Sequence, residues 1–419
     1  MRNHLAIFRV ALFGSTVALA ALTPATAADL SRAARERIEA ATGKLSSAPQ
    51  KGTVSLFGAT RRPATYTVLH SFAGGPGDGQ DPSAEVTLDS AGNIYGTTAG
   101  GGANSAGTLF EIASGTETLL HSFGASGDGT SPDGALTLES NGDIIGTTNY
   151  GGPTGNGTIW KRAANGTYSI LHSFTSDEGN FIRGRLVQDR KGNLYGTALF
   201  GGAYGYGTVF KYNTRGKLTV LHVFGSGEGQ YPEHGVVRDT AGNLYGVTAF
   251  GGGYGNGTVY EIAANGTFST LYSFTAGADG GFLYGGVAID RKDGTLYGST
   301  VDYGANGFGT VFKLASDGTF TTLYSFTGGT DGGNPEGDML LAGKRLYSTA
   351  TRGGDPTCGC GGVYEMPLTG KEKMLHAFTN TDPYNDYSAG LTASGTTFYG
   401  TVAGGGTAAD GVVFSLTRK

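Results

Sequence analysis

After residue 64 the chain alternates apolar and polar positions in short runs, and the runs recur. Between His234 and Phe274 they read HGVVRD, LYGVTAF, TVYEIA and FSTLYSF. TAGN, GGGYGNG and ANGT separate them, and TAGADGGFLYG leads into the next group. Runs of this length bounded by Gly, Asn and Asp predict strands, and Asn265-Gly266 is a two-residue hairpin signal. Four short antiparallel strands in a period of about 50 residues predict one blade of a β-propeller.

Two signatures count the copies. A Tyr-Gly pair falls at Tyr95, Tyr195, Tyr245, Tyr297 and Tyr399, with Ile145 in the Tyr position once and Tyr347-Ser348 once, which makes seven. Leu-His/Tyr-x-Phe also occurs seven times, at His70, His121, His172, His222, Tyr272, Tyr324 and His376. A single copy of AGNLYGVTAFGGG resembles a phosphate-cradling loop. Seven copies with no helix behind them do not, because such a loop uses the amides of a helix N-terminus. The region opens at residues 65–72 on a fourth strand without its first three and ends at 411–416 on a third strand without a fourth. The fold class expected is therefore all-β: a seven-bladed propeller with four antiparallel strands per blade. Its N-terminal strand completes the last blade and hides two open edges.

The N-terminus differs. Arg2 and Arg9 precede an apolar run from Val10 to Leu22 and the small-x-small pattern Ala25-Thr26-Ala27, which predicts an export signal over residues 1–27. Residues 29–45 are rich in Ala, Glu and Arg and predict a short helix, followed by an irregular linker to residue 64. No other run approaches the roughly 20 residues of a membrane span. The mature chain is expected outside the cytoplasm: periplasmic, extracellular or at the cell surface.

Composition narrows the class. There are 77 glycines in 419 residues, and Tyr and Phe number 22 each, so short strands and tight turns are indicated rather than disorder. The net charge of −5 argues against a nucleic-acid partner, which needs a basic face. GNLYGTT followed by GG, then GTVFK, then LHSF, resembles the GloVer (Gloeo/Verruco) tandem repeat of exported bacterial proteins over residues 65–419. The resemblance implies export and a repeat fold, and brings no catalytic residues with it.

Comparing the copies locates candidate chemistry. The longer loops share one end of the blades, and binding residues favour long loops on rigid scaffolds. The lead-in to each first strand varies most. One register holds Ser83, Asp133, Arg183, Glu233, Tyr284, Glu336 and Ser388. Two places on stand Glu85, Ala135, Arg185, Gly235, Gly286, Asp338 and Gly390. First strands line a propeller channel, so these charges should face one another at its mouth, as a ligand site or as a merely solvated rim. His234 occupies a slot that is otherwise Gly or Ala, beside Glu233, and is either a base or ligand or a surface histidine. The long loops carry Tyr150, Phe200, Tyr204, Tyr206, Phe250, Tyr254, Tyr303 and Phe308, which suit the apolar faces of sugar rings or simply cover the blade tops.

No metal site or cofactor is called for. The recurring Asp78, Asp128, Glu228, Asp279 and Asp331 have the chemistry to hold structural calcium, though turn formation is the commoner use. Cys358 and Cys360 are candidates for a local disulfide. Three functions remain open. The first is glycan or cell-surface polymer binding on the long-loop face. The second is a polysaccharide lyase or glycoside hydrolase with His234 or Tyr284 as base, Glu233 or Glu336 as acid, and Arg183 or Arg185 holding substrate carboxylates. The third is a protein–protein scaffold, which would present a flat apolar face.

Overall fold

The computed structural model describes residues 64–379, 382 and 389–418. The expected export signal, helical segment, linker as far as residue 63 and Ser388 lie outside the described residues. Among these residues the chain is all β: seven four-stranded antiparallel sheets form the blades of a propeller, and two short two-stranded ladders pair Gly79–Gln80 with Gly100–Gly101 and Gly129–Thr130 with Tyr150–Gly151. The fourth blade is typical. Val237–Arg238 is its inner strand, followed outward by Leu244–Thr248, Thr258–Ile262 and Phe268–Ser273. The other inner strands begin at Thr87, Thr137, Val187, Ala288, Leu340 and Thr392.

Closure follows the expected route. Thr65–Ser71 is the outer strand of the seventh blade and pairs antiparallel with Val412–Thr417, from Thr65 opposite Thr417 to Ser71 opposite Val412. The first and last strands thus cover each other's edges.

The repeated Tyr-Gly pair has a packing cause. A Cβ on Gly96, Gly196, Gly298 or Gly400 would collide with the ring of Phe110, Phe210, Phe312 or Phe414 on the neighbouring third strand. Gly146 and Gly246 lie against Trp160 and Tyr260 in the same way. These glycines make room for an aromatic core, and the rings they admit are fully buried. The final Phe of the second signature fills the core beside them: Phe72, Phe123, Phe174, Phe224, Phe274, Phe326 and Phe378 are all 0% exposed.

The second signature also staples neighbouring blades. His70, His121 and His172 hydrogen-bond Asp78, Asp128 and Glu178 of the following loop, at 3.4, 2.9 and 3.0 Å. Tyr272 and Tyr324 donate to Asp279 and Asp331 at 3.1 and 2.8 Å. His222 and His376 approach Glu228 and Asp382 to 3.3 Å. A residue of the next blade covers the ring: Tyr168 stacks on His121, Phe268 on His222, Phe320 on Tyr272 and Tyr66 on His376, with centroids 3.7–4.4 Å apart. In each blade the register shifts between the third and fourth strands close to this residue.

Inner strands are shorter than the sequence suggests. HGVVRD reads as one strand in the sequence, and only Val237–Arg238 is paired. Near the axis, adjacent blades crowd backbone against backbone. A Cβ on Gly184 would overlap the amide of Gly235, and one on Gly285 would overlap Gly337. The lead-ins therefore pack on their neighbours rather than extending the ladder of their own blade.

Candidate functional site at the channel mouth

Threonines of the second strands fix the lead-ins. Thr147, Thr197, Thr349 and Thr401 donate to the carbonyls of Ile182, His234, Ala389 and Ala84 in the next blade, at 2.8–3.3 Å. Bridges such as Asn180 to Phe200 and Gln230 to Phe250 tie the inter-blade segments to the long loops. The long-loop face is thus tied together by hydrogen bonds within and between blades.

Three charges in one register meet at its centre. Arg183 Nε lies 2.9 Å from Asp133 Oδ2, and its Nη1 lies 3.1 Å from Glu233 Oε2. Each carboxylate comes from the blade on one side of the arginine. Ser83 donates to the other oxygen of Asp133. Two positions further down the channel, Arg185 reaches Glu85 at 3.3 Å and the Leu136 carbonyl at 3.1 Å. Thr392 also donates to Glu85, at 2.7 Å. His234 Nδ1 sits 2.8 Å from Asp338 Oδ1, which accepts the Gly286 amide at 2.5 Å.

Burial in the channel works against a charged His234. The Asp338 carboxylate outweighs it and holds the imidazole pKa above its ordinary value. Burial likewise opposes an ionised Asp338, and the His234 imidazolium, the Gly286 amide and Arg185 together hold that carboxyl below the usual range. Neutral His234 would keep its proton on Nδ1, toward Asp338, and turn the Nε2 lone pair the other way. This is a histidine–aspartate dyad. Glu336 is buried and Tyr284 half-buried, on the same register as Arg183.

An arc of aromatic rings borders the charges. Tyr150 meets Phe181 at 5.2 Å, Phe181 meets Phe200 at 5.8 Å, and Phe200 meets Tyr231 at 5.4 Å. The series continues through Phe250, Phe282 and Tyr303 at 6.0, 5.0 and 5.6 Å. Tyr284 branches from Phe250 at 6.2 Å, and the Arg183 guanidinium stands 5.8 Å from the Phe181 ring centre. Tyr204 and Tyr254 lie at loop tips, each 66% exposed. Tyr206 packs edge-on against Tyr231, and Phe308 lies across Gly328.

Phe181, Tyr231 and Phe282 were not among the sequence candidates. They occupy one lead-in position, two before Arg183, Glu233 and Tyr284. All three hold φ near +60°, a left-handed backbone that bulky residues rarely adopt. Asp81, Ser131 and Asn334 take the same φ at the equivalent place in other blades. Comparing that register across copies would have exposed the aromatic substitution in three successive blades.

The loop carboxylates serve their turns. Asp78 accepts the Ala73 and Gly79 amides at 2.7 Å each, and Asp279 accepts Thr275 and Gly277. Asp78 also stands with His70 and Glu117, whose ligating atoms all lie within 4.8 Å of one another. Cys358 and Cys360 form a disulfide. Among the described residues no helix is long and apolar enough to cross a membrane.

The sequence profile of the Gloeobacter/Verrucomicrobia repeat matches residues 40–249 and 234–419, and the chain belongs to this family. No curated protein sequence matches it significantly. Solved structures with a similar fold include a chain of the mitotic checkpoint complex, at 12% identity and TM-score 0.54, covering 90% of this chain and 100% of that one. PorZ, a surface component of the type-IX secretion system of Porphyromonas gingivalis, aligns at 13% identity and TM-score 0.50, over 82% of this chain and 47% of its own. The gluconolactonase XC5397 of Xanthomonas campestris aligns at 14% identity and TM-score 0.43, over 86% and 99%. At these identities the likeness to the first two is one of fold.

Proposed function

We propose that this protein is exported and binds a glycan or cell-surface polymer on the long-loop face of its propeller. The observation that carries the reading is the arc of rings from Tyr150 to Tyr303 beside the Asp133–Arg183–Glu233 clamp. Sugar rings offer apolar C–H faces to aromatics and hydroxyls to charged groups, and this surface supplies both. The exposed Tyr204 and Tyr254 would extend contact outward along a polymer. The test is retardation of the protein on a panel of immobilised neutral polysaccharides. One polymer should retain the wild type, and Tyr204→Ala/Tyr254→Ala should elute earlier with an unchanged melting temperature. Equal elution of the two proteins, or passage of the wild type through every polymer, would overturn the reading.

The His234–Asp338 dyad favours a second reading, a hydrolase or lyase acting in the same mouth. His234 would be the base, while Arg183 and Arg185 would have to exchange present carboxylate partners for substrate. New oligosaccharides that appear with wild type and vanish with His234→Ala would select it.

A further inference from the structure

The opposite end of the blades holds a second candidate site. A groove of about 490 Å³ lies across the short hairpin turns of the third, fourth and fifth blades. Its lining includes Arg190, Lys191, Lys211, Arg238 and Arg291, five cations, against two carboxylates, Asp189 and Asp239. Both carboxylates are engaged by their own turns. Asp189 accepts the Lys191 and Asn193 amides, the Asn193 side chain and Tyr195 Oη, at 2.8–3.1 Å. Asp239 is held in the same way by Gly242, Asn243 and Tyr245.

The cations lack such partners. None of the five is in an ion pair among the described residues, and Arg238 Nε is buried without a hydrogen bond. Lys211 and Arg238 instead stand 5.5 and 5.9 Å from the centre of the Tyr195 ring. The other blades show that the repeat does not require this. Ser90-Ala91 and Ser140-Asn141 replace Arg190-Lys191, and Leu88, Leu138 and Ile289 replace Arg238. Lys161 is the second-blade counterpart of Lys211, and it is consumed by Glu139 and Asp143. In a chain of net charge −5 the groove is a local excess of positive charge.

We propose that this groove binds an acidic polysaccharide through its carboxylates. Guanidinium groups pair with carboxylates in planar, bidentate geometry. The cations come from three consecutive blades, so they suit a chain of spaced charges better than one compact anion. The backbone amides of these turns, which would cradle a single phosphate, are already taken by Asp189 and Asp239. The site is independent of the long-loop face.

The experiment is calorimetric titration of the full chain with polygalacturonate at low salt. Its methyl-esterified form, inorganic phosphate and phosphatidylglycerol vesicles are run beside it. Polygalacturonate should bind, the ester should not, and affinity should fall as salt rises. Lys211→Glu/Arg238→Glu should weaken binding at least tenfold, and so should Arg190→Glu/Lys191→Glu on the exposed turn, where folding is not at stake. Lys344→Glu, in the first turn of the sixth blade, and Tyr204→Ala/Tyr254→Ala should bind like wild type. Absence of polygalacturonate binding, equal binding by both charge-reversed variants, or preference for vesicles or phosphate would each overturn the proposal.

Discussion

The propeller uses the histidine–carboxylate pair in two places. On the outer strands, His70, His121, His172, His222 and His376 each face an Asp or Glu of the next loop. In the channel, His234 faces Asp338 at 2.8 Å. The contacts are alike, and the surroundings are not. An outer pair recurs in every blade, with Tyr–Asp replacing it twice, and in four blades a ring of the neighbouring blade stacks on it. Among the described residues the channel pair occurs once, and it joins lead-ins of the fourth and sixth blades, skipping the fifth. Burial pushes His222 and His376 below the ordinary histidine pKa, whereas Asp338 lifts His234 above it. Within one repeat protein, a pair's role is read from whether the copies share it.

If the outer shell is one closed ring, breaking it anywhere should be felt everywhere. Deleting Thr65–Ser71 removes the whole outer strand of the seventh blade and bares Val412–Thr417. The expected outcome is loss of the cooperative melting transition in near-ultraviolet circular dichroism, because the loss is comparable with a domain's whole stability of about 5–15 kcal/mol. A deletion variant that melts like the full chain would show that the shell does not act as a unit.

The shell was legible because each of its features repeats. Glycine beside an aromatic, Phe at the end of the outer strand and the unmatched strands at the two ends all follow from pattern. The mouth was legible only as a place. Asp133, Arg183 and Glu233 share a register, so their contact follows from blade adjacency. The Arg185–Glu85 and His234–Asp338 pairs each skip a blade, and that depends on how closely the lead-ins converge at the axis. Phe181, Tyr231 and Phe282 escaped notice because their position binds no ladder and carries no apolar period. The basic groove escaped for another reason: its charges lie on a turn, an inner strand and a third strand, which no single register connects.

A smaller effect tests the stacking slot of the shell. Tyr66, Tyr168, Phe268 and Phe320 fill it with rings, the third blade has Leu218, and the first and sixth blades have Glu117 and Glu372 there. Burial, with Asp331 nearby, pushes the Glu372 carboxyl up to about 8, and its Oε1 has no hydrogen-bond partner among the described residues. A carboxyl pKa raised on folding gives stability that is complete below the unfolded value and is lost as pH rises through the folded one. The Glu372 contribution to stability should therefore decline from about pH 4.5 to about pH 8. Glu372→Gln should flatten that slope and exceed wild type by about 1 kcal/mol above pH 8, after discounting for solvent screening. Parallel urea midpoints at pH 5 and pH 8.5 measure it. Equal slopes would mean that the slot tolerates charge.

The smallest effect separates the two kinds of histidine directly. His234 has a raised folded pKa, so its stabilising share is present below about pH 6.5 and fades as pH rises through the folded value. His222 has a lowered one, so its share is present above about pH 6.5 and fades as pH falls through its folded value. Asp338→Asn removes the attraction that lifts His234 and leaves the burial that opposes it. Its imidazole should then titrate below the ordinary value, in the same direction as His222. NMR titration of the ring protons would show one histidine crossing from the high to the low side while the outer histidines stay in place. The stability change should stay within about 1 kcal/mol, as for other partly exposed ion pairs. If His234 titrates unchanged in the variant, the pair at the mouth is contact without coupling, and the distinction between shell and channel must rest on geometry alone.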